Sequence, residues 1–148
     1  MQDTDFDVLV RDVRHIVIQL EALANQSVAR SGLTGVQAYL LLYILHRSGK
    51  GTSLTEIQRE LRYSKSTLSA TVKRLRDMGY VRIVPYAGDD RRKIFFATGK
   101  GEEIREFLEQ SVSEVHHRLY GGFSGPELDT LSGMQKRMLR NLSPENQD

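Results

Sequence analysis

The sequence lacks cysteine altogether, and only 3 of its 148 residues are proline. The missing thiols exclude a disulfide framework, a thiolate metal site, a cysteine nucleophile and a thiol-based redox sensor. No hydrophobic run approaches the roughly 18 to 20 residues that span a bilayer. The first five residues are polar and acidic, unlike a signal peptide. We therefore expect a cytoplasmic protein.

Charge is nearly balanced over the whole chain but is unevenly distributed along it. The formal net charge is +2. Between Arg62 and Lys93, nine basic residues stand against three acidic ones, a net charge of +6, so the rest of the chain carries −4. A positive middle third between two acidic ends predicts a local surface for a polyanion, most often nucleic acid. On charge alone, a solvated basic face without a partner is the alternative.

Hydrophobic spacing predicts a long amphipathic helix over residues 5–30. At about 1.5 Å per residue it would reach nearly 40 Å, longer than a compact domain of this size covers, so part of its apolar stripe is expected to meet another subunit. Thr34 is predicted to cap a second helix. The residues expected on or near the buried face of that second helix are Val36, Tyr39, Leu40, Tyr43, Ile44 and Leu45.

Two short helices are predicted next. Ser53 and Glu56 have the spacing of a reciprocal capping box. Ser64 is a second N-cap, and the apolar residues that follow it, Leu68, Val72 and Leu75, recur at i, i+4 and i+7. A turn of about three residues separates the two helices, so they form a helix-turn-helix.

The hydrophobic period then changes from helix to strand. Residues 81–86 and 93–97 are short β-branched and aromatic runs, and residues 87–92 between them form a charged hairpin tip. A long helix resumes from about Lys100 and breaks at Gly121-Gly122. Ser124 begins another capping box and a last helix, and residues 141–148 are predicted to be a frayed tail.

The face of the Ser64 helix opposite its apolar stripe carries small hydroxyls, an alanine and basic residues. A helix in the major groove needs a thin N-terminal half that approaches base edges, with Lys and Arg near phosphates. An arginine at a hairpin tip suits a narrow minor groove. An ordinary surface helix and a merely charged turn are the alternatives for each feature taken alone.

The order of these motifs resembles the multiple-antibiotic-resistance regulator (MarR) family of winged helix-turn-helix transcription factors. The resemblance is carried by LRYSKSTL at 61–68, LRDMGYV at 75–81, DDRR at 89–92 and TGKG at 98–101. It implies a mainly α fold with a small β-hairpin wing. It also implies a helical dimerisation region over 1–33 and 100–148 and a DNA-binding domain over 34–99. The expected function is a homodimeric repressor that binds a pseudo-palindromic operator and is relieved by a small aromatic or lipophilic effector.

The resemblance also assigns DNA-binding residues. Arg91 would enter the minor groove with Asp89 as its orienting partner, although the motif also fits one residue later, on Asp90 and Arg92. At Ala70 many family members have a larger polar or basic residue, so one base contact is expected to be apolar or absent. The full set is Ser64, Lys65, Ser66, Thr67, Ser69, Ala70, Lys73, Arg74, Asp89, Arg91 and Arg92.

Two further groups of residues follow from the resemblance. The dimer interface is expected to include Phe6, Leu9, Val13, Ile16, Leu119, Leu128, Leu131 and Met138. The effector region would lie near His15, Tyr39, Tyr43, His46 and Arg47, each of which is also consistent with ordinary packing.

Other function classes find little support in the sequence. The phosphate-loop, nucleophile-elbow and zinc-protease motifs are absent, so we do not expect an enzyme. His116 and His117 are adjacent and lack the i, i+4 spacing that brings two imidazoles to one metal, so neither a metal nor a cofactor is expected. A dimeric helical adaptor of the same fold without specific DNA binding is the alternative function.

Overall fold

The computed structural model describes residues 3–47 and 49–144, the side chains of residues 3, 4 and 90 excepted. Predictions for the first two residues, for Ser48 and for the tail from 145 to 148 lie outside this range. The described chain is mainly helical with one β-hairpin wing, as predicted. Its elements are α1 (Asp3–Val28), α2 (Gly35–Leu45), α3 (Leu54–Leu61), α4 (Lys65–Asp77), β1 (Val81–Tyr86), β2 (Asp89–Ala97), α5 (Gly99–Tyr120) and α6 (Gly125–Leu142).

The chain divides into two compact units, one up to Val115 and one from His116 onward. The first unit holds α1 to α4, the hairpin and most of α5. The second holds the end of α5 and all of α6. The predicted division into dimerisation and DNA-binding regions is a functional one and stays a prediction.

The first helix ends slightly earlier than its apolar stripe predicts. After Val28 the chain forms one 3₁₀ turn, Ala29–Ser31, and reverses at Gly32, whose φ is +80°. Thr34 then caps α2 as predicted, because its hydroxyl accepts the Gln37 N–H at 3.2 Å while the Gln37 side chain accepts the Thr34 N–H at 3.0 Å. These two bonds satisfy backbone donors that the first turn of a helix leaves unpaired.

The core of the first unit surrounds α2, which is apolar around most of its circumference. The prediction that Tyr39 faces this core is wrong, since Tyr39 is 47% exposed, whereas Leu41 is fully buried. A helix that is apolar on nearly every side gives no periodic signal to orient it, and this explains the error. The largest fully buried side chains of the core are Leu40, Leu41, Ile44, Leu45, Ile57, Leu68, Leu75 and Leu108.

The helix-turn-helix forms as predicted from its two serine caps. Ser53 accepts the Glu56 N–H at 3.3 Å, but the reciprocal half of the predicted capping box is wrong, because the Glu56 carboxylate instead accepts from the Thr52 hydroxyl at 2.9 Å. Between α3 and α4 the chain turns at Arg62, which has φ +60°. A left-handed conformation at a residue other than glycine is strained, so the surrounding turn must hold it.

The wing is an antiparallel hairpin whose tip is tighter than predicted. Residues Ala87 and Gly88 alone make the turn, with φ +86° at Gly88, so the second strand starts at Asp89 rather than at Lys93. A two-residue loop is the preferred hairpin turn when glycine supplies the positive φ. Pro85 pairs with Lys93, whereas the next residue of β1, Tyr86, pairs with Asp89. Residues 90–92 of β2 therefore have no partner in β1 and form a bulge in the hairpin.

One strand-like contact joins the wing to the loop before α3. Thr52 and Phe95 exchange both backbone hydrogen bonds, at 3.1 and 2.7 Å. Gly51, with φ +74°, makes this approach feasible, because a Cβ there would stand 2.5 Å from Ile94 Cγ2. The wing is therefore tied to the helix-turn-helix at its base.

In the second unit, α6 begins at the predicted capping box. Ser124 accepts the Glu127 N–H at 3.2 Å, and the Glu127 carboxylate accepts the Ser124 N–H at 2.9 Å. The hydrogen bond from the Ser124 N–H to the carboxylate, followed by that from the Ser124 side chain, holds the pKa of Glu127 below its ordinary value. The helix continues to Leu142, into the segment that was predicted to fray.

Candidate DNA-binding surface

The two faces of α4 differ as a groove-binding helix requires. Leu68, Val72 and Leu75 pack into the core with at most 1% of each side chain exposed. They fix which side of the helix faces outward. Of the predicted contact residues on this helix and its cap, Ser69 is half-buried, and the exposed ones are Ser64, Lys65, Ser66, Thr67, Ala70, Lys73 and Arg74.

The N-terminus of α4 carries a cluster of three hydroxyls. The Ser64 hydroxyl accepts the Thr67 N–H at 3.2 Å and donates to Thr67 Oγ1 at 2.8 Å, and Ser66 Oγ lies 3.3 Å away. The cap therefore satisfies one of the unpaired N–H groups of the first turn. The helix dipole makes this end electropositive, and a phosphate is favoured there.

In the wing, Asp89 and Arg91 contact each other through the backbone. The Asp89 carboxylate accepts the Arg91 N–H at 3.0 Å. The predicted orienting partner therefore positions the main chain at Arg91 rather than its guanidinium, and the Arg91 side chain is exposed. This bond stabilises the start of the bulge in β2.

The neighbouring arginine has a different environment. The guanidinium of Arg92 lies over the ring of Tyr86, 5.1 Å from its centroid. At the base of the wing, Arg82 lies over the ring of Phe96 at 5.0 Å. Each ring therefore lies beneath an exposed arginine side chain.

Arg62 was counted among the nine basic residues of the positive middle third, but it was not among the predicted DNA contacts. It is exposed, it ends α3, and it stands two residues before the Ser64 cap. Its place in the three-residue turn beside a helix N-terminus was the available signal. Its left-handed backbone could not be predicted, because glycine or asparagine usually occupies such positions.

The residues assigned to an effector region are brought together only in part. Arg47 donates to the Tyr43 hydroxyl at 3.1 Å and to Glu60 at 2.8 Å. Burial, followed by the hydrogen bond to Glu60, raises the pKa of Tyr43. This group connects α2 to α3, beside the Thr52 and Glu56 pair.

The other predicted effector residues lie elsewhere on the first unit. His46 contacts Glu109 of α5 at 3.3 Å, and Glu109 also accepts from Arg105 at 3.1 Å. The hydrogen bond from Arg105, and then the one from His46, lower the pKa of Glu109. Tyr39 is exposed on α2 and His15 is exposed on α1.

Apolar side chains predicted for a dimer interface are accessible on both units. On α1, the side chains of Phe6, Leu9, Val13 and Ile16 are between 48% and 57% exposed. On the second unit, Met138 is 54% exposed, and Leu119, Leu128 and Leu131 are half-buried. Large apolar faces that remain open to water are typical of surfaces that meet another chain.

The arrangement of acidic and histidine side chains bears on metal binding. Among the described residues, no group of three or more histidine, aspartate or glutamate side chains is placed to hold a metal ion. Within the same residues, no single helix is long and apolar enough to cross a membrane. One pair of segments, Asp5–Ser31 and Gly35–Leu45, meets the length and composition criteria only together and is bent by 73°.

Comparison with known proteins identifies the part of the chain that contains this surface. A family model described as MarR family matches residues 31–92, which cover α2, the helix-turn-helix and the tip of the wing. The match to the MarR family therefore covers the segment that carries this surface, somewhat under half of the chain. The resemblance that the motifs predicted is confirmed, and MarR-family members are transcriptional regulators, not enzymes.

Similarity to MarR-family and related proteins extends over most of the chain. An uncharacterised HTH-type transcriptional regulator, YybA of Bacillus subtilis, is 22% identical over 134 residues, 90% of this chain and 88% of the relative. A mutant MarR from E. coli, solved with operator DNA, is 24% identical with a TM-score of 0.78, over 91% of this chain and 96% of that one. The S. aureus MepR–DNA complex is 22% identical with a TM-score of 0.80, over 93% and 98%. These structures confirm the winged-helix fold.

Proposed function

We propose that the protein is a homodimeric, sequence-specific DNA-binding regulator whose α4 enters the major groove and whose wing reaches the minor groove. The observation that carries the proposal is the two-faced α4. One face is locked in the core, and the other presents exposed hydroxyls, a methyl group and basic side chains inside a MarR-family region. The MarR and MepR structures solved with DNA, which share the fold, support it.

Each residue of that face has a role suited to its chemistry. The Ser64, Ser66 and Thr67 hydroxyls donate to and accept from base edges or phosphate oxygens. The Ala70 methyl packs against a thymine methyl, and Lys73 neutralises a phosphate. Lys65 and Arg74, with Arg62 in the preceding turn, extend the positive surface along the backbone of the duplex.

At the wing, Arg91 is the residue that enters the minor groove. Arg92 is already stacked on Tyr86, and moving it into a groove would break that contact. Arg91 is exposed, and Asp89 fixes its backbone. The wing therefore uses the Asp89 and Arg91 register, and Arg92 contacts the flanking phosphates.

The dimer forms through the apolar faces of α1 and of the second unit. These helices leave Val13 and Met138 more than half exposed in a single chain. Two copies would bury these faces and present two winged domains to successive half-sites of a pseudo-palindrome. Sedimentation equilibrium tests this directly: the expected species is a dimer, which Val13→Glu weakens, whereas a monomer at all concentrations would contradict the proposal.

The proposed regulation acts through the spacing between the two recognition helices of the dimer. The protein acts in the cytoplasm as a repressor, and a small aromatic or lipophilic effector relieves repression. The effector does so by binding preferentially to dimers whose recognition helices no longer match the half-site spacing of about 34 Å. Affinity for DNA then falls by the differential binding energy of the effector and by no more.

Fluorescence anisotropy tests the proposed function. Purified protein is titrated with a duplex from just upstream of its own coding sequence and with a scrambled duplex of equal length, at about 0.15 M salt. A preference of roughly a thousandfold is the expected result for a specific regulator. Equal and weak binding to both duplexes would contradict it, and no binding at low salt would instead support a helical adaptor.

A further inference from the structure

The motif of residues 98–101 takes no part in the DNA contacts described above. It lies where α4, the wing and α5 meet. After α4 the chain turns at Gly79 and enters β1, whose first residue, Val81, pairs with Ala97 at the end of β2. The next helix, α5, starts two residues later. The end of the recognition helix and the start of α5 are thus held side by side at the base of the wing.

Thr98 connects these two helix ends. Its N–H donates to the Tyr80 carbonyl at 3.0 Å. Its hydroxyl donates to the Gly79 carbonyl at 2.6 Å and accepts the Gly101 N–H at 3.2 Å. One side chain therefore satisfies a carbonyl just beyond α4 and an amide in the first turn of α5, both of which the helices leave unpaired.

Lys100 makes a second connection from α5 to the end of α4. Its ammonium donates to the Met78 carbonyl at 2.6 Å and lies 4.7 Å from the centroid of the Tyr80 ring. Tyr80 is only 7% exposed, so the ring is a fixed platform. A cation is favoured at a helix C-terminus because the last carbonyls point towards it.

The packing around this lysine is close. A Cβ at Gly101 would stand 2.7 Å from the Tyr80 carbonyl oxygen, and one at Gly79 would stand 3.4 Å from the Lys100 Cδ. Gly101 thus lets the start of α5 approach the turn that ends α4. At Gly79 the added Cβ would be in ordinary contact, and the φ of +85° is what favours glycine there. A change in the angle of α4 relative to α5 would break the ammonium contact.

We propose that Lys100 is a positioning residue for DNA binding. It holds the C-terminus of the recognition helix at a fixed angle to α5 and does not itself contact DNA. The proposal rests on the proposed function, because the angle of α4 matters to affinity only if α4 docks in the groove. Lys100 differs in this from Lys73, which acts directly on a phosphate.

Salt titrations of three variants separate positioning from phosphate contact. Lys100→Met removes the ammonium and keeps the stem, Lys100→Arg keeps a cationic donor, and Lys73→Met removes the proposed phosphate contact. We expect Lys100→Met to lower affinity for the preferred duplex about tenfold, since a charged hydrogen bond is lost. The slope of log affinity against log salt stays unchanged, and Lys100→Arg recovers most of the loss. Lys73→Met lowers the magnitude of the slope by about 2 in a dimer.

Three results would overturn the proposal. The first is a slope that falls by about 2 in Lys100→Met, because Lys100 would then be a phosphate contact. The second is unchanged affinity in a protein that otherwise prefers its duplex. The third is a loss that Lys100→Arg does not reverse.

Amide hydrogen exchange tests, without DNA, whether the contact from Lys100 to the Met78 carbonyl, here called the Lys100 lock, stabilises the end of α4. The Tyr80 N–H donates to the Leu75 carbonyl at 2.9 Å, so its exchange reports on the end of α4. We expect Lys100→Met to speed this exchange about tenfold, and Lys136→Met, which changes an exposed lysine of α6, to leave it unchanged. If the wild-type protein prefers no duplex, the proposed function fails, whereas faster exchange still supports the lock. Unchanged exchange overturns the lock itself.

Discussion

Removing Arg91 and, in a matched variant, Arg92 decides how the wing meets DNA. The two residues are adjacent and exposed, and each variant, Arg91→Ala or Arg92→Ala, removes one positive charge. Their effects on long-range attraction to the duplex are therefore nearly equal. Any difference in affinity between the variants reflects which side chain makes the closer contact.

The different environments of the two arginines determine which loss is expected to be larger. In the proposed complex, Arg91→Ala would remove a desolvated, charge-assisted contact, which costs about 1 to 3 kcal/mol, roughly a 5- to 150-fold loss of affinity. To enter the groove, Arg92 would first have to leave the ring of Tyr86, 5.1 Å from its guanidinium. An exposed cation–π contact is worth about 0.5 to 1 kcal/mol. We therefore expect Arg92→Ala to cost about 1 kcal/mol or less, as for a phosphate contact at the rim.

Anisotropy titrations of both variants on one duplex at one salt concentration measure these losses. The expected order is a clearly larger loss for Arg91→Ala than for Arg92→Ala. The reverse order would refute the reasoning and move the wing motif to the register of Asp90 and Arg92. If both variants bind the duplex with wild-type affinity, the wing does not contact DNA.

Three further predictions concern the recognition helix and α6. Lys73→Ala is expected to lower the magnitude of the slope of log affinity against log salt by about 2 in a symmetric dimer. If the slope is unchanged and affinity is lost for one duplex sequence only, Lys73 contacts a base instead. Leu68→Ala, at a position with no exposure, is expected to lower the free energy of unfolding by about 2 to 5 kcal/mol in urea at fixed protein concentration; a loss under about 1 kcal/mol would contradict the core assignment. The bonds to Ser124 lower the pKa of Glu127, so this carboxylate stabilises the fold above its unfolded-state pKa and ceases to do so as the pH falls through its lowered value. In thermal unfolding, the advantage of the wild type over Glu127→Gln should therefore shrink in acid, and an advantage that grew in acid would contradict the assignment.

The parts of the fold that sequence predicts best are those with local signals. Ser64 begins α4 because its hydroxyl accepts an N–H three residues on, and the period of Leu68, Val72 and Leu75 states which face is buried. Capping and helical period are properties of a few neighbouring residues. The side of α4 that faces DNA in the proposed function therefore follows from the amino-acid sequence alone.

Other features depend on residues far apart in the chain. The charged residues 89–92 suggested a wide hairpin tip. The two-residue turn with its positive φ at Gly88 instead makes β2 start at Asp89. The bridge between Thr52 and Phe95 joins residues that are 43 positions apart in the sequence. The hydrogen bond from Lys100 to Met78 joins residues that are 22 positions apart. No periodic pattern in the sequence predicts such pairs, because each pair depends on how separate helices and strands pack together.

The most direct test of a winged-helix dimer on DNA is hydroxyl-radical footprinting of the protein on its preferred duplex. Two winged domains should leave two protected regions whose centres lie about 10 base pairs, or one helical turn, apart. Outside them, the minor groove should show protection that is lost in Arg91→Ala. A single protected region, or uniform weak protection along the duplex, would contradict the account.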